Sequence, residues 1–517
     1  MNAPAPAEFR VPPHRGLIVI CTIAATLMQT LDSTIANVAL PYMQGTFSAT
    51  LDQVTWVLTS YIVAAAVMTA PVAWLAARFG RKRIFVICLG GFTFSSVLCG
   101  FAMSLEQMVF YRVVQGATGA AIVPLSQSVM MDVYPMSQRG KAMAMWGMGV
   151  MVGPIIGPTL GGYLTDAFDW RYCFFINLPF GLAAIAGLGL FLKDRAPDQA
   201  LRFDWTGFAI LAVGLGAFQL MLDRGAHNDW LESGEIIAYA VISGLGLYLF
   251  LVHVWLSPNP LIPPGIFRDF NFTAGLSTMF AIGAVLVASV ALLAPYLQSM
   301  AGYSAWDTGL LLAPRGAGVM FAMLIAGRIV DRFEPRIIMV FGVSLLAGSL
   351  WQMSRWTPDV AAFELVFSTT LQGIGLGFIF IPLQVISFAT LPPQYRTDGA
   401  ALFSLIRNVG SAIGVSIVAT MLTATQQVMH AQISETLTPF SRLAQTGGAY
   451  LFWNLANPRG RAAIDSEIGR QSLVVAYSND YLIMFWMTLP AIALILMMRK
   501  PPRRTGPQPA APAAHAD

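Results

Sequence analysis

The sequence predicts an all-α integral membrane protein with fourteen transmembrane helices, built as two six-helix bundles with two linker helices between them. Three observations lead there. Of 517 residues, 56% are hydrophobic and only 11% charged, and mean hydropathy is +0.65; soluble domains carry about 25% charged residues. The apolar residues gather into windows close to the roughly 20 residues that a helix needs to cross a bilayer. The first part of the chain is also echoed in the second, at a spacing of about 258 residues.

Taken in order, the N-terminal tail 1–16 is Pro-rich and reads as unstructured. Span 1, at 17–41, is interrupted by a single charge, Asp32. Uncharged windows follow at 54–77, 84–105, 113–131, 142–165 and 172–192, completing a first bundle over 17–192. A linker over 193–256 holds two more spans, near 205–222 and 236–252. The second bundle, 257–498, contains 271–305 (one span and a turn), 307–327 with Arg315, 337–354, 365–395, 399–424 with Arg407, and 481–498. Between its last two spans runs a polar segment, 425–479, where Val428, Ile433 and Leu437 keep a helical spacing. The tail 499–517 is again Pro-rich.

Orientation follows from the cations, because Lys and Arg collect in cytoplasmic loops. With the N-terminus inside, the inner loops hold Arg78, Arg81, Lys82, Arg83, Arg139, Lys141, Arg328, Arg332 and Arg336 among others, whereas the short outer loops hold only Arg171, Arg224 and Arg355. An even number of spans then returns both termini to the cytoplasm, and the expected location is the inner (cytoplasmic) membrane. The inner loops account for the net charge of +4, so the charge does not point to nucleic acid. Cys21, Cys88, Cys99 and Cys173 all lie in apolar spans without disulfide or metal-binding spacing, and no metal site is expected. The N-terminus lacks a signal peptide's cleavage pattern, so the first span is expected to be retained.

The repeat is readable residue by residue. Laying 112–144 over 369–403 matches Gln115-Gly116 with Gln372-Gly373, Pro124-Leu125 with Pro382-Leu383, and Pro135 with Pro393. "AWLAARFGRKR" (73–83) and "GRIVDRFEPR" (327–336) both end a span in a basic turn. Repeated halves of this kind mark alternating-access transporters. In the alignment Arg112 faces Thr369, so this cation belongs to one half only.

Burying Arg112 in hydrocarbon costs at least about 2.5–3.5 kcal/mol. Asp32, fifteen residues into its own span, is the candidate counter-charge. A carboxylate in a medium of low dielectric holds a proton more readily than in water. An approaching and receding Arg112 would make that proton affinity depend on which way the protein faces. The other readings are a helix-end Asp in a wet vestibule and an Arg that fixes its span through backbone carbonyls.

"LDSTIANVALP" (31–41), "RFGRKR" (78–83), "RVVQG" (112–116) and "GPIIGPTLGG" (153–162) together resemble the ordered motifs of the major facilitator superfamily, and within it the fourteen-span drug:proton antiporters of the EmrB/QacA type. "DWRYCFFINLPFG" (169–181), "APRGAG" (313–318) and "SLIRNVGSAIG" (404–414) are similar to the EmrB branch. The resemblance implies proton coupling by Asp32 and Arg112. It also implies an antiporter motif at Gly153, Pro154, Gly157, Pro158, Gly161 and Gly162 that seals the halves, with the prolines bending span 5 and the glycines admitting close helix contact. Gating loops are implied at Gly80, Arg81, Lys82 and Arg83 and at Asp331 and Arg332. The first loop departs from the family pattern, with Ala77 where an Asp is usual. Arg315 and Arg407 read equally as cations for an acidic amphipathic substrate or as packing residues, and His253 reads as an interfacial residue.

The function expected from these readings is proton-coupled export of hydrophobic or amphipathic small molecules, driven by the proton gradient with no cofactor. Alternatives are a proton-coupled transporter of a dedicated metabolite or lipid-like substrate, uptake by symport, and a non-transporting membrane receptor. A membrane-embedded enzyme is disfavoured, because the sequence contains no nucleotide-binding loop, metal-ligand cluster or nucleophile with a base at helical spacing. Expected partners are the lipid bilayer and the small-molecule substrates. By resemblance, the segment 425–479 could also meet a periplasmic membrane-fusion adaptor that leads to an outer-membrane channel.

Overall fold

The computed structural model describes residues 12–135, 138–194, 198, 201–225, 228, 230–330, 332–436 and 457–499. The first bundle comprises α1 (Arg15–Phe47), α2 (Leu51–Thr69), α3 (Val72–Phe79), α4 (Arg81–Gly100), α5 (Leu105–Gly119), α6 (Ile122–Val133), α7 (Arg139–Ala167), α8 (Tyr172–Phe175) and α9 (Asn177–Phe191). The linker forms α10 (Trp205–Gly225) and α11 (Gly234–Leu256). The second bundle comprises α12 (Phe270–Pro295), α13 (Ala305–Ile329), α14 (Pro335–Met353), α15 (Ala362–Ala389), α16 (Arg396–Thr436) and α17 (Pro458–Met497).

Local chemistry sets several of these ends. Thr50 and Gln53 form a reciprocal capping box that starts α2. The uncharged window 54–77, expected as one span, bends by 55° between α2 and α3. Pro71 sits at the break and supplies no N–H to the helical ladder. By contrast, α5 and α6 run on as one apolar stretch, Leu105–Val133. Among the described residues, twelve helices are long and apolar enough to cross a membrane, or thirteen when the bent pair counts as one span.

Packing repeats between the halves in the same order. In the first, α1 lies against α7 and α9, α2 against α5, and α4 against α5 and α9. In the second, α12 lies against α16 and α17, α13 against α15, and α14 against α15 and α17. The halves meet where α7 packs on α13 and α15, and where α16 packs on α2, α3 and α6. Helices α10 and α11 pair closely at Gly214 and Gly246. From that pair α10 reaches both halves, through Thr59 to Asp223 and Ser416 to the Leu222 carbonyl at 3.1 Å, and Trp230, in the turn that leads into α11, donates through Nε1 to Thr420 Oγ1 at 3.1 Å.

Both ends of the described chain lie on one side. There Arg15 stacks 4.8 Å from the Tyr134 ring, and Asn271 exchanges hydrogen bonds with the Arg499 backbone at 3.1 and 2.7 Å. On the opposite side α16 and α17 project outward. At 1.5 Å per residue, the 41 residues of α16 reach roughly 60 Å, about twice the hydrocarbon thickness. His430 Nε2 meets Asp465 Oδ1 at 3.1 Å between the two projections. The segment expected as a long loop is therefore helical over 425–436 and 458–479. The remainder of that loop, with Leu437, lies outside the described residues.

Candidate functional site

The structure brings Asp32 and Arg112 together. Both side chains are fully buried, and Arg112 Nη1 stands 2.8 Å from Asp32 Oδ2. The carboxylate also accepts from Gln115 Nε2 at 2.9 Å and from Asn177 Nδ2 at 2.8 Å, both on Oδ1. Arg112 in turn donates through Nε to the Val57 carbonyl at 3.0 Å and through Nη1 to Gln115 Oε1 at 2.8 Å. Its Nη2 makes no hydrogen bond among the described residues. The guanidinium instead rests against aromatic faces, 4.2 Å from the Tyr61 ring centroid and 5.7 Å from that of Phe174, where the ring quadrupole favours a cation.

One ion pair thus joins every span of the first bundle except α7. Asp32 comes from α1, Val57 and Tyr61 from α2, Arg112 and Gln115 from α5, and Asn177 from α9. Asn177 also donates to Ser96 Oγ of α4 at 2.9 Å, and Gln29 Nε2 donates to Tyr61 Oη at 2.9 Å. Attraction alone does not make a buried pair stabilising, because desolvation offsets it; breaking one partner away costs about 3–5 kcal/mol. A proton on Asp32 would cancel the attraction to Arg112 and turn one acceptor oxygen into a donor.

Gln115, Asn177, Ser96 and Tyr61 were not singled out from the sequence as site residues. Gln115 carried a signal, since it is matched by Gln372 in the repeat, and Asn177 lies within the "NLPFG" stretch. Nothing in the spacing of Ser96 or Tyr61 marks them, because each is one small or aromatic residue in an apolar run.

The glycine-rich stretch 153–162 lies beside the pair. Added Cβ atoms at Gly153 and Gly157 would strike Thr30 and Thr34, and one at Gly161 would come 2.7 Å from Ile35. Three glycines one turn apart therefore set α7 directly on the α1 segment that carries Asp32. Gly162 has open space around it and is not part of this seam. The side chains of Pro154 and Pro158 lie outside the described residues. Contact between α7 and the other half comes from a different stretch, where Gly147 faces Met323 and Gly140 faces Gly327.

In the first loop, Arg81 pairs with Asp132 at the end of α6 and reaches Ser128 Oγ at 3.2 Å. Gly80 holds φ at +95°, and a Cβ there would meet the Asp194 carboxylate, which caps α4 by accepting from the Lys82 backbone N–H at 3.1 Å. Ala77, in place of the usual Asp, accepts from the Asp198 N–H through its backbone carbonyl at 2.9 Å. Arg83 and Arg332 are exposed, and Asp331 lies outside the described residues.

Arg315 is buried and donates to Ser289 Oγ at 3.1 Å. Arg407 lines a gap between the bundles with Trp146, Met323, Phe380 and Gln384. That gap holds about 10 Å³, no more than the ~10–15 Å³ one water needs. Gln127 Nε2 bridges it to Gln384 Oε1 at 3.2 Å. His253 places Nε2 at 2.8 and 2.9 Å from the two Asp204 oxygens and so ties α11 to the foot of α10.

Two repeated helical bundles packed on one another are the architecture of a secondary transporter. The chain belongs to the Major Facilitator Superfamily, whose family model matches residues 22–415. Its curated relatives place it with the EmrB type. It is 34% identical over 498 residues to the multidrug export protein EmrB of Escherichia coli K12, covering 95% of this chain and 96% of that protein. It is 31% identical over 504 residues to the fatty acid resistance protein FarB of Neisseria gonorrhoeae, covering 96% and 99%. Among solved structures, the human organic anion transporter MFSD10 superposes with a TM-score of 0.58 at 13% identity, covering 92% of this chain and 100% of that one. An inward-facing, occupied bacterial homolog of the human lysosomal transporter Spinster gives 0.57 at 17% identity, covering 94% and 97%. Those two likenesses concern the fold alone.

Proposed function

We propose that this protein is a proton-coupled antiporter that exports hydrophobic or amphipathic small molecules by alternating access. The observation that carries this reading is the fully buried Asp32–Arg112 pair, which joins α1 to α5 and is tied through the Val57 carbonyl and the Asn177 amide to two other elements of the first bundle, α2 and α9. A proton entering from outside neutralises Asp32, releases Arg112 and lets α1 and α5 shift relative to one another. Return of the proton to the cytoplasm restores the pair. The proton gradient supplies the energy and no cofactor takes part. Similarity to EmrB, a multidrug export protein, and to FarB, a fatty acid resistance protein, supports export as the direction.

In this reading α7, 29 residues long with the apolar run 142–165, completes fourteen crossings. Both termini lie in the cytoplasm and the membrane is the inner one, as the cation distribution favours. The outward projections of α16 and α17 offer a helical platform for a periplasmic membrane-fusion adaptor and, through it, an outer-membrane channel. Arg407 in the central gap and the relative named for fatty acid resistance favour a second reading, in which the substrate is a dedicated lipid-like acid. Competition of a fatty acid against a neutral dye separates the two.

The test is dye efflux from proteoliposomes under an imposed proton gradient, with and without a protonophore, for wild type and Asp32→Asn. Gradient-driven efflux is expected in wild type and its loss in the variant. Efflux that survives the protonophore or the loss of the carboxylate overturns the coupling.

A further inference from the structure

We propose that Asp480, in α17, is a second proton-binding carboxylate of the transport cycle, carried by the second bundle. The inference rests on the antiport reading and extends it, since nothing above gives the second half a part in proton movement.

Asp480 is fully buried, and neither carboxylate oxygen has a hydrogen-bond partner among the described residues. Asp32, equally buried, accepts from three donors. An ionised carboxylate without a partner in an apolar interior is far costlier than the neutral acid, which forgoes only its hydrogen bonds. In this conformation Asp480 therefore carries a proton.

Its surroundings fit that state. On α17 the nearest titratable groups are Tyr477 and Tyr481, which themselves pack on aromatic rings. The Tyr477 ring lies 5.2 Å from that of Tyr296, and the Tyr481 ring 5.8 Å from that of Trp356. The Tyr481 hydroxyl is also buried without a partner. From α13, the Arg315 guanidinium bonds to Ser289 of α12. Helix α14 has no charged residue after Arg336, which pairs with Glu334. On α16, Arg407 lines the gap between the bundles and His430 meets Asp465. None of the ion pairs among the described residues includes Asp480.

Its height matches that of Asp32. Asp32 stands 17 residues after the start of α1 and Asp480 17 residues before the end of α17. Each is thus roughly 25 Å along its helix from the side of the chain termini. The repeat differs in what surrounds each acid. Arg112 and Gln115 of the first half correspond to Thr369 and Gln372 in the second, both buried, and neither polar atom of the Gln372 amide is bonded among the described residues. The first bundle binds its proton against a cation. The second binds one as a neutral load, picked up from the outer water when α17 opens to it and released on the other side.

The test counts protons. Proteoliposomes with the membrane potential clamped at zero are given a fixed pH difference, and the limiting dye ratio is measured for wild type and Asp480→Asn. Each coupled proton contributes a factor of ten in dye ratio per pH unit. Loss of one proton is therefore expected to lower the limiting ratio about tenfold at one pH unit, with export retained. An unchanged ratio overturns the proposal. A wild type with no gradient dependence overturns the antiport reading itself, which is a different result. Should the variant fail to insert, wild-type protein treated with dicyclohexylcarbodiimide near neutral pH decides. This reagent adds to protonated buried carboxyls, and a stable N-acylurea adduct on the Asp480 peptide is expected, whereas an unmodified peptide overturns the proposal.

Discussion

Asn177 Nδ2 donates at 2.8 Å to Asp32 Oδ1 and at 2.9 Å to Ser96 Oγ, so the last span of the first bundle clamps the buried carboxylate to α4. The hydrogen bonds of Asp32 come from α5 and α9, two elements that lie on either side of α4. Any rearrangement that separates Asp32 from Arg112 must also break or carry along the Asn177 contact.

Replacing Asn177 with Leu should therefore impair coupling without touching the ion pair. A hydrogen bond to a charged group is worth about 1.5–3 kcal/mol, or roughly a tenfold to hundredfold change in a population. Gradient-driven efflux is expected to fall by about tenfold or more in protein that inserts normally, with Asn177→Gln recovering part of it. Wild-type rates in Asn177→Leu would show that the amide only fills space.

The seam between α1 and α7 makes a second, internally controlled prediction. Gly153→Ala places a methyl group on Thr30 and 2.7 Å from the Leu31 backbone nitrogen, whereas Gly162→Ala meets nothing within 4 Å. Overpacking of this kind costs about 1–3 kcal/mol. Gly153→Ala is expected to lower the thermal midpoint of the purified protein and slow transport, and Gly162→Ala to do neither. Equal behaviour of the two would remove the seam from the mechanism.

On the side of the chain termini, Ser128 Oγ of α6 and Thr397 Oγ1 of α16 lie 3.4 Å apart, beside the Arg81–Asp132 pair. They belong to opposite halves. Ser128→Cys with Thr397→Cys is expected to form a disulfide under mild oxidation, to arrest transport by locking this side shut, and to recover with a thiol reductant. Cross-linked protein that still transports would mean that the two halves do not separate here.

Much of the fold was readable because lipid imposes a coarse rule: an apolar run of about 20 residues with no charge has few alternatives to a spanning helix. The windows at 172–192 and 337–354 agree with α8–α9 and α14 to within a few residues for that reason. The bend at Pro71 and the helical extension of α16 beyond the membrane escaped. Hydropathy records neither a missing N–H nor a polar helix held by its continuation into an apolar one. Asp32 and Arg112 were readable as site residues because a charge in hydrocarbon is expensive and needs a reason. Asp480 was not, since it lies one residue before the uncharged window 481–498 and reads as a helix end.

By itself, then, the sequence determined the medium, the spans, the repeat and the two charges that the first bundle must accommodate, all of which follow from transfer free energies along the chain. Tertiary structure decided what those charges meet. The three donors to Asp32 come from positions 80 to 145 residues away, and a hydrogen bond is specified within a few tenths of an ångström. The same packing left Asp480 with no donor among the described residues. Such differences depend on which faces of the helices are brought together, and hydropathy along one strand of sequence carries no record of that.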